Sequence, residues 1–159
     1  MRERRILQPY SGTKYQDMNT YTIISGITAF IWFGFICSIS FLETPVKFTA
    51  PGVTLSIGLG IGKKVFSILN KTEIGFMIIL GITALFKTTA SHFEYAFPLI
   101  ILLILLCQSI WLLPALGKRV ALIQAGINTP PSKLHWFYIS GEFLKMISLF
   151  VYGLMQWKY

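Results

Sequence analysis

The last apolar segment, residues 134–157, carries the side chains best placed for chemistry. On a helix of about 3.6 residues per turn, its polar residues fall on one side and the opposite side is apolar. The polar set is His135, Tyr138, Glu142, Lys145, Tyr152 and Gln156. Ionisable groups in a membrane segment mark solute, ion or proton pathways when they face a protein interior. The alternative is structural, because Glu142 and Lys145 lie one turn apart and can neutralise each other.

A second polar stripe lies on residues 52–71, where the spacing of polar and apolar side chains predicts an amphipathic helix. Its members are Ser56, Lys63, Lys64, Ser67 and Asn70. Gly58 and Gly62 are four residues apart, a spacing that lets helices approach closely in lipid. We expect the two stripes to face each other, with Lys63 or Lys64 against Glu142, because pairing lowers the cost of burying either charge.

The glycines of SIGLGIGKK, residues 56–64, also suggest a phosphate-binding loop, but the spacing does not fit one. The pattern GxxxxGK[ST] needs a hydroxyl residue after its lysine, and neither lysine of this stretch is followed by one. In GxGxxG the third glycine would come one residue later than it does here. The helical interpretation is therefore preferred.

Catalytic and metal-binding patterns are weak. His92 and His135 have no second ligand at the common i+3 or i+4 spacing, although one axial haem ligand from His135 stays open as an alternative. The acids are scattered and form no pair typical of acid–base catalysis: Glu3, Asp17, Glu43, Glu73, Glu94 and Glu142. We therefore predict a non-enzymatic protein with no metal site and no cofactor.

These residues must be positioned by helices in a membrane. Of 159 residues, 54% are hydrophobic and only 13% are charged, whereas soluble domains average about 25% charged. The uncharged runs 21–42 and 97–116 match the roughly 20 residues that cross about 30 Å of hydrocarbon. The sequence predicts an all-α integral membrane protein, a helical bundle of four clear transmembrane spans plus one amphipathic, semi-polar membrane helix. The helices are expected at about 21–42, 52–71, 73–90, 95–116 and 134–157, after a polar N-terminal segment, 1–20.

The net charge of +8 bears on topology rather than on nucleic acid, since no nucleic-acid-binding motif accompanies it. If helix 52–71 crosses the bilayer, eight basic residues share the N-terminal side and three lie opposite. They are Arg2, Arg4, Arg5, Lys14, Lys71, Lys118, Arg119 and Lys133 against Lys47, Lys87 and Lys158. Basic residues concentrate on the cytoplasmic side, so the count predicts a cytoplasmic N-terminus in an inner (plasma) membrane.

The order of features resembles a known family. A glycine-containing first span, GITAFIWFGF, leads to the turn ETPVKFTAP and then to a semi-polar glycine helix. Two apolar spans and a basic connection follow, and Leu134-His135 opens the last span. This layout, over roughly residues 22–155, is similar to the transmembrane protein 205-like family (domain of unknown function 4149). The resemblance implies a small four-span membrane protein linked to metal or drug tolerance.

The leading functional hypothesis is a non-enzymatic membrane component or complex subunit whose polar stripe supports helix assembly. Its expected partners are the lipid bilayer and either a second copy or other membrane protein subunits. One alternative is a small-solute, ion or proton pathway lined by Glu142 and Lys63 or Lys64. The other is haem or metal binding through His135.

Overall fold

The computed structural model describes residues 20–87 and 92–157, and these are helical almost throughout. Four helices are long and apolar enough to cross a membrane: Thr20–Thr49, Leu55–Phe86, Phe93–Gln124 and Leu134–Met155. We call them the first to fourth spans. The predicted all-helical architecture and the four long apolar helices are therefore confirmed. The predicted segment 1–20 lies outside the described residues except for Thr20, as do residues 88–90 of the predicted helix 73–90.

Two of the four spans contain wider, π-helical turns. The first span consists of α1 (Thr20–Ile36), a π-helical segment (Cys37–Glu43), α2 (Thr44–Val46) and a 3₁₀ turn (Lys47–Thr49). The second span is α3 (Leu55–Phe86), and the fourth is α6 (Leu134–Met155). The third span joins α4 (His92–Cys107), a π-helical segment (Gln108–Leu112) and α5 (Leu113–Gln124).

Proline accounts for the position of both π-helical segments. The first segment ends two residues before Pro45, and the second ends two residues before Pro114. A proline has no N–H for the helical ladder, and its ring clashes with the carbonyl four residues earlier. The preceding turn widens to relieve this conflict, and π-helical turns of this kind are frequent at functional sites.

The helix ends follow local sequence signals. Thr54, in an extended conformation, caps α3 by accepting a hydrogen bond from the Ile57 backbone N–H at 3.3 Å, as an N-cap hydroxyl does. After α5, Gly126 takes a positive φ of 76°. Its N–H and that of Ile127 donate back to Ile123 and Leu122, which is the Schellman arrangement that favours glycine.

The predicted helices 52–71 and 73–90 are one helix, α3, so the separate semi-polar fifth helix of the sequence prediction is wrong. At the predicted boundary between the two helices, the charged residues Lys71 and Glu73 interrupt the apolar pattern. None of these residues breaks a helix, since glycine and proline are absent from the stretch. The Glu73 side chain is instead buried within the bundle, where it has partners.

A continuous α3 also removes the charge bias on which the predicted orientation depended. With four crossings, the basic residues outside the bundle interior divide six against seven. They are Arg2, Arg4, Arg5, Lys14, Lys87 and Lys158 against Lys47, Lys63, Lys64, Lys71, Lys118, Arg119 and Lys133. The positive-inside rule requires an excess on one side, so the cytoplasmic placement of the N-terminus loses its support.

The spans pack around an apolar core. α1 packs against both α3 and α6, and α6 also packs against α4. The core side chains are Ala29, Trp32, Ile36, Leu80, Ile101, Leu105, Leu149 and Tyr152. Many large apolar side chains point outward on all four spans, among them Ile31, Ile78, Leu103 and Phe150. Such extensive exposed apolar surface is unusual for a soluble monomer and suits contact with lipid.

The paired glycines of α3 create space for side chains from the end of the first span. A Cβ atom at Gly58 would lie 2.2 Å from the Phe48 ring, and one at Gly62 would lie 2.8 Å from Lys47 Nζ. The spacing of these glycines predicted close helix packing, and both are buried. What approaches them is a pair of side chains from the 3₁₀ turn rather than the backbone of another helix.

Replacing Gly58 with alanine is expected to lower the thermal unfolding midpoint of the detergent-solubilised protein, because the new methyl group forces the Phe48 ring to move. Overpacking of this kind typically costs about 1–3 kcal/mol. Gly75→Ala is the matched control, since it lies in the same helix with nothing within 4 Å of the added Cβ. Tryptophan fluorescence reports unfolding in both variants, and equal midpoints would contradict this account of the packing.

Candidate functional site

Three ionisable side chains meet in the middle of the bundle. Lys145 Nζ lies 2.5 Å from Glu73 Oε1 and 3.0 Å from Glu142 Oε1. Glu142 precedes Lys145 by three residues on α6, so the two side chains lie on the same helix face. Glu73 approaches from α3. All three residues are 0% exposed; this set is called the charge cluster below.

Every span supplies a polar group to the charge cluster. Trp32 Nε1 of α1 donates a hydrogen bond to Glu73 Oε1 at 3.1 Å. The π-helical segments supply the other two donors. Gln108 Nε2 donates to Glu142 Oε1 at 3.0 Å, and Ser40 Oγ donates to Glu142 Oε2 at 3.4 Å. The two irregular turns thus place their polar side chains on the same carboxylate.

The charge cluster is not balanced. Two carboxylates share one ammonium group, which leaves a formal charge of −1 when all three groups are ionised. In the part of the chain that the structure describes, Glu73 Oε2, Gln108 Oε1 and the Tyr138 hydroxyl are buried without a hydrogen-bond partner. Buried polar atoms are normally paired, so this cluster has capacity for a further proton or a small polar ligand.

A cavity of about 720 Å³ opens at one end of the bundle. The end of the first span, the N-terminal half of α3, α5 and the start of α6 form its wall. No acid is among the lining residues, and the basic ones are Lys47, Lys63, Lys118, Arg119 and His135. Leu59, Phe66 and other apolar residues contribute most of the remaining lining. We call this space the basic cavity.

A layer of uncharged side chains lies between the basic cavity and the charge cluster. Tyr138 lines the cavity, is 1% exposed and packs edge-on against Phe66 with ring centroids 5.0 Å apart. Asn70 Nδ2 donates to Ser109 Oγ at 2.8 Å across the wall of the cavity. Gln108 Nε2 also reaches the Tyr138 carbonyl at 3.4 Å, so Gln108 contacts both this layer and Glu142.

The predicted stripe on 134–157 divides into three parts. His135 is exposed and lines the basic cavity, and Tyr138 lies beneath it. Glu142 and Lys145 belong to the charge cluster. Tyr152 and Gln156 are buried at the far end of the bundle. The stripe therefore faces the bundle along its length, except at its exposed first residue.

The far end of the bundle has its own buried cation. The Lys87 ammonium lies 3.4 Å from Glu94 Oε2, 5.6 Å from the centre of the Tyr152 ring and within hydrogen-bonding distance of Gln156. Burial lowers the pKa of Lys87 from its ordinary 10.5, and the Glu94 carboxylate opposes that shift.

The predicted stripe on 52–71 lies mainly on the basic cavity. Lys63, Ser67 and Asn70 line it. The Ser56 carbonyl accepts a hydrogen bond from Gln124 Nε2 at 3.4 Å. Lys64 is exposed and lies outside the cavity lining.

The predicted pairing of Lys63 or Lys64 with Glu142 is wrong. Glu142 pairs with Lys145 of its own helix, and the partner that α3 supplies to this cluster is the acid Glu73. Lys63 lies about three turns before Glu73 along α3, at the level of the cavity. The pairing failed because a helix break was placed at residue 72, which removed Glu73 from the interior face.

Sequence reasoning missed four members of the site: Trp32, Ser40, Glu73 and Gln108. A signal for Glu73 was present, because the stripe through Ser67 and Asn70 reaches residue 73 when it is continued by one turn. The others carried no comparable signal. Ser40 and Gln108 reach Glu142 from π-helical turns, whose positions do not follow the 3.6-residue period.

The described residues contain no group of three or more histidine, cysteine, aspartate or glutamate side chains that could hold a metal ion. Comparison of the chain with protein-family models, curated proteins and solved structures finds no match. The resemblance to the transmembrane protein 205-like family thus stays a prediction.

Replacing Lys145 with methionine is expected to destabilise the protein strongly, because two buried carboxylates lose their shared counter-ion. Removing one partner of a buried ion pair typically costs about 3–5 kcal/mol. Lys64→Met removes the same charge from an exposed position and should leave the thermal unfolding midpoint nearly unchanged. Similar midpoints for the two variants in the same detergent would contradict the assigned role of Lys145.

Proposed function

We propose that this chain is a non-enzymatic, multi-pass component of an inner (plasma) membrane in which the charge cluster holds the four spans in one arrangement. The single observation that carries the proposal is that all four spans contribute a polar group to the cluster. Lys145 joins α6 to α3 through Glu73, while Trp32, Ser40 and Gln108 add the first and third spans.

The bilayer makes such contacts decisive for specificity. Apolar side chains gain little from leaving lipid for another helix, so association depends on close packing and on polar contacts. A carboxylate or an ammonium facing hydrocarbon is costly. Arrangements of the helices that separate Lys145 from its acids are therefore penalised, whichever apolar surfaces they bring together.

The outer surface supports a role as a component with partners. Exposed apolar side chains cover the lipid-facing sides of all four spans, and the bilayer is the first partner that they suit. The same surface could also bind a second copy of this chain or another membrane protein subunit. We propose such a partner because the sequence predicts that the protein is a subunit of a complex.

The assembly role is tested by a double-mutant cycle on Glu73 and Lys145. We expect Glu73→Gln and Lys145→Met to be non-additive in the free energy of unfolding, with a coupling of about 0.5–3 kcal/mol, the range for residues in direct contact. The double variant should be more stable than Lys145→Met alone, because one of the two stranded carboxylates has been neutralised.

A cycle on Glu73 and Lys64 is the matched control, since Lys64 forms no ion pair within the described residues. Additive effects are expected there. Additivity in the Glu73–Lys145 cycle as well would overturn the assembly role.

The unbalanced charge of the cluster favours a second candidate function, a proton pathway. Two fully buried carboxylates that share one lysine are stabilised by taking up one proton, because like charges disfavour simultaneous ionisation. Carboxylates of this kind form proton relays in membrane proteins. The sequence predicted a pathway lined by Glu142 and by Lys63 or Lys64. In the pathway proposed here Glu73 and Glu142 carry the proton, because Lys63 and Lys64 do not reach Glu142.

Proton flux into liposomes loaded with a pH-sensitive dye tests this candidate under an imposed membrane potential. The wild-type protein should carry protons, and Glu73→Gln should abolish the flux while keeping the monodisperse elution of a folded protein. Glu43→Gln, at the end of the first π-helical segment, is the control that leaves the charge cluster intact. Wild-type flux no faster than that of empty liposomes would eliminate the pathway.

A further inference from the structure

The basic cavity collects positive charge, with no acid among its lining residues. No carboxylate is among its lining residues, although Lys47, Lys63, Lys118 and Arg119 all contribute to it. Within the described residues, Lys47 pairs with Glu43 at 3.3 Å, whereas Lys63, Lys118 and Arg119 form no ion pair. Lysines and arginines brought together without counter-charges repel each other unless an anion or water lies between them.

Three of the basic side chains, from Lys47, Lys63 and Arg119, make contacts with neighbouring residues. Lys47 Nζ lies over Gly62, where an added Cβ would be 2.8 Å away, and 5.5 Å from the centre of the Phe66 ring. The Lys63 side chain lies against Gly117, with Cε 3.4 Å from the position of an added Cβ. Arg119 donates a hydrogen bond to the Pro130 carbonyl. The glycines of α3 and α5 therefore make room for these cations at the cavity wall.

The cavity lies toward one end of helices that are longer than the hydrocarbon layer is thick. α3 and the third span each have 32 residues, which makes each about 48 Å long at about 1.5 Å per residue. The hydrocarbon layer is about 30 Å thick. The excess of about 18 Å in each helix lies at its ends. These antiparallel helices bring the N-terminal half of α3, with Lys63, beside the end of the third span, with Lys118 and Arg119. From there the long basic side chains can reach the headgroup region.

Most of the remaining lining is apolar, and it suits the part of a ligand that continues into the bilayer. Leu59, Phe66, Leu113, Leu116 and Val120 share the wall with the basic side chains. A volume of about 720 Å³ falls within the roughly 300–1,000 Å³ of small-molecule sites. A free inorganic anion would use only the charged part of this space.

We propose that the basic cavity binds an anionic phospholipid-type amphiphile, with its phosphate among Lys63, Lys118 and Arg119 and its acyl portion along the apolar wall. Lysine and arginine are the side chains that recognise phosphate, by charge and by charge-assisted hydrogen bonds. This site is separate from the charge cluster, and the proposal stands whether that cluster acts in assembly or in proton movement.

The test uses the full chain in a neutral detergent and follows the rise in thermal unfolding midpoint that a bound ligand produces. Dihexanoyl phosphatidic acid, dihexanoyl phosphatidylcholine and inorganic phosphate are titrated separately. Phosphatidic acid alone is expected to stabilise the wild-type protein. The double variant Lys63→Gln/Lys118→Gln should bind it about tenfold more weakly or worse, a change of about 1.4 kcal/mol per tenfold.

The control is Lys64→Gln/Lys71→Gln, which removes the same charge from two exposed positions of α3 outside the cavity lining. It should respond to phosphatidic acid as the wild type does. An equal loss in both double variants would overturn the proposal, because the effect would then be one of net charge. Stabilisation by inorganic phosphate alone would overturn the lipid as the source of the phosphate, and an equal response to phosphatidylcholine would overturn recognition of the anion.

Discussion

The contact on which this bundle depends is the ammonium group of Lys145 between the carboxylates of Glu73 and Glu142. All three residues are fully buried, so bulk water does not replace a lost partner. The ion pair between Lys145 and Glu73 joins α3 to α6. Other alignments of the same apolar surfaces leave a buried charge unpaired, which is far more costly than an imperfect apolar contact.

The two π-helical segments contribute hydrogen bonds to the carboxylate of Glu142. Pro45 and Pro114 each follow a π-helical segment, and each segment contributes one donor to Glu142, from Ser40 and from Gln108. A regular helix advances by about 100° per residue, whereas a π-helical turn shifts the side chains that follow it. The two irregular turns cost free energy locally. The hydrogen bonds that they allow to a buried carboxylate offset that cost, because hydrogen bonds to charged groups are stronger than those between neutral groups.

Two charge environments of opposite sign coexist in the bundle. The charge cluster is buried and carries more acid than base, whereas the basic cavity opens at one end of the bundle and has no acid in its lining. The Tyr138 and Phe66 rings and the Asn70–Ser109 hydrogen bonds lie between them. This layer keeps the cations of the cavity away from the acids of the cluster, with which they would otherwise pair. The separation explains why Lys63 is available to an external anion while Glu142 is not.

The sequence by itself determined the class of the protein, the four long apolar helices and the polar face of the last helix. These follow from composition and from a 3.6-residue period, which are local properties. The small-x-x-x-small spacing of Gly58 and Gly62 is also visible in the sequence. The sequence does not show which side chains pack against these two glycines. Only the tertiary structure decided that α3 is continuous and that Glu73 is an interior residue. Its sequence neighbours alone indicate a helix boundary at this charged residue. In the folded protein Glu73 is interior, because Lys145, 72 residues away along the chain, neutralises it and Trp32, 41 residues away, donates a hydrogen bond to it.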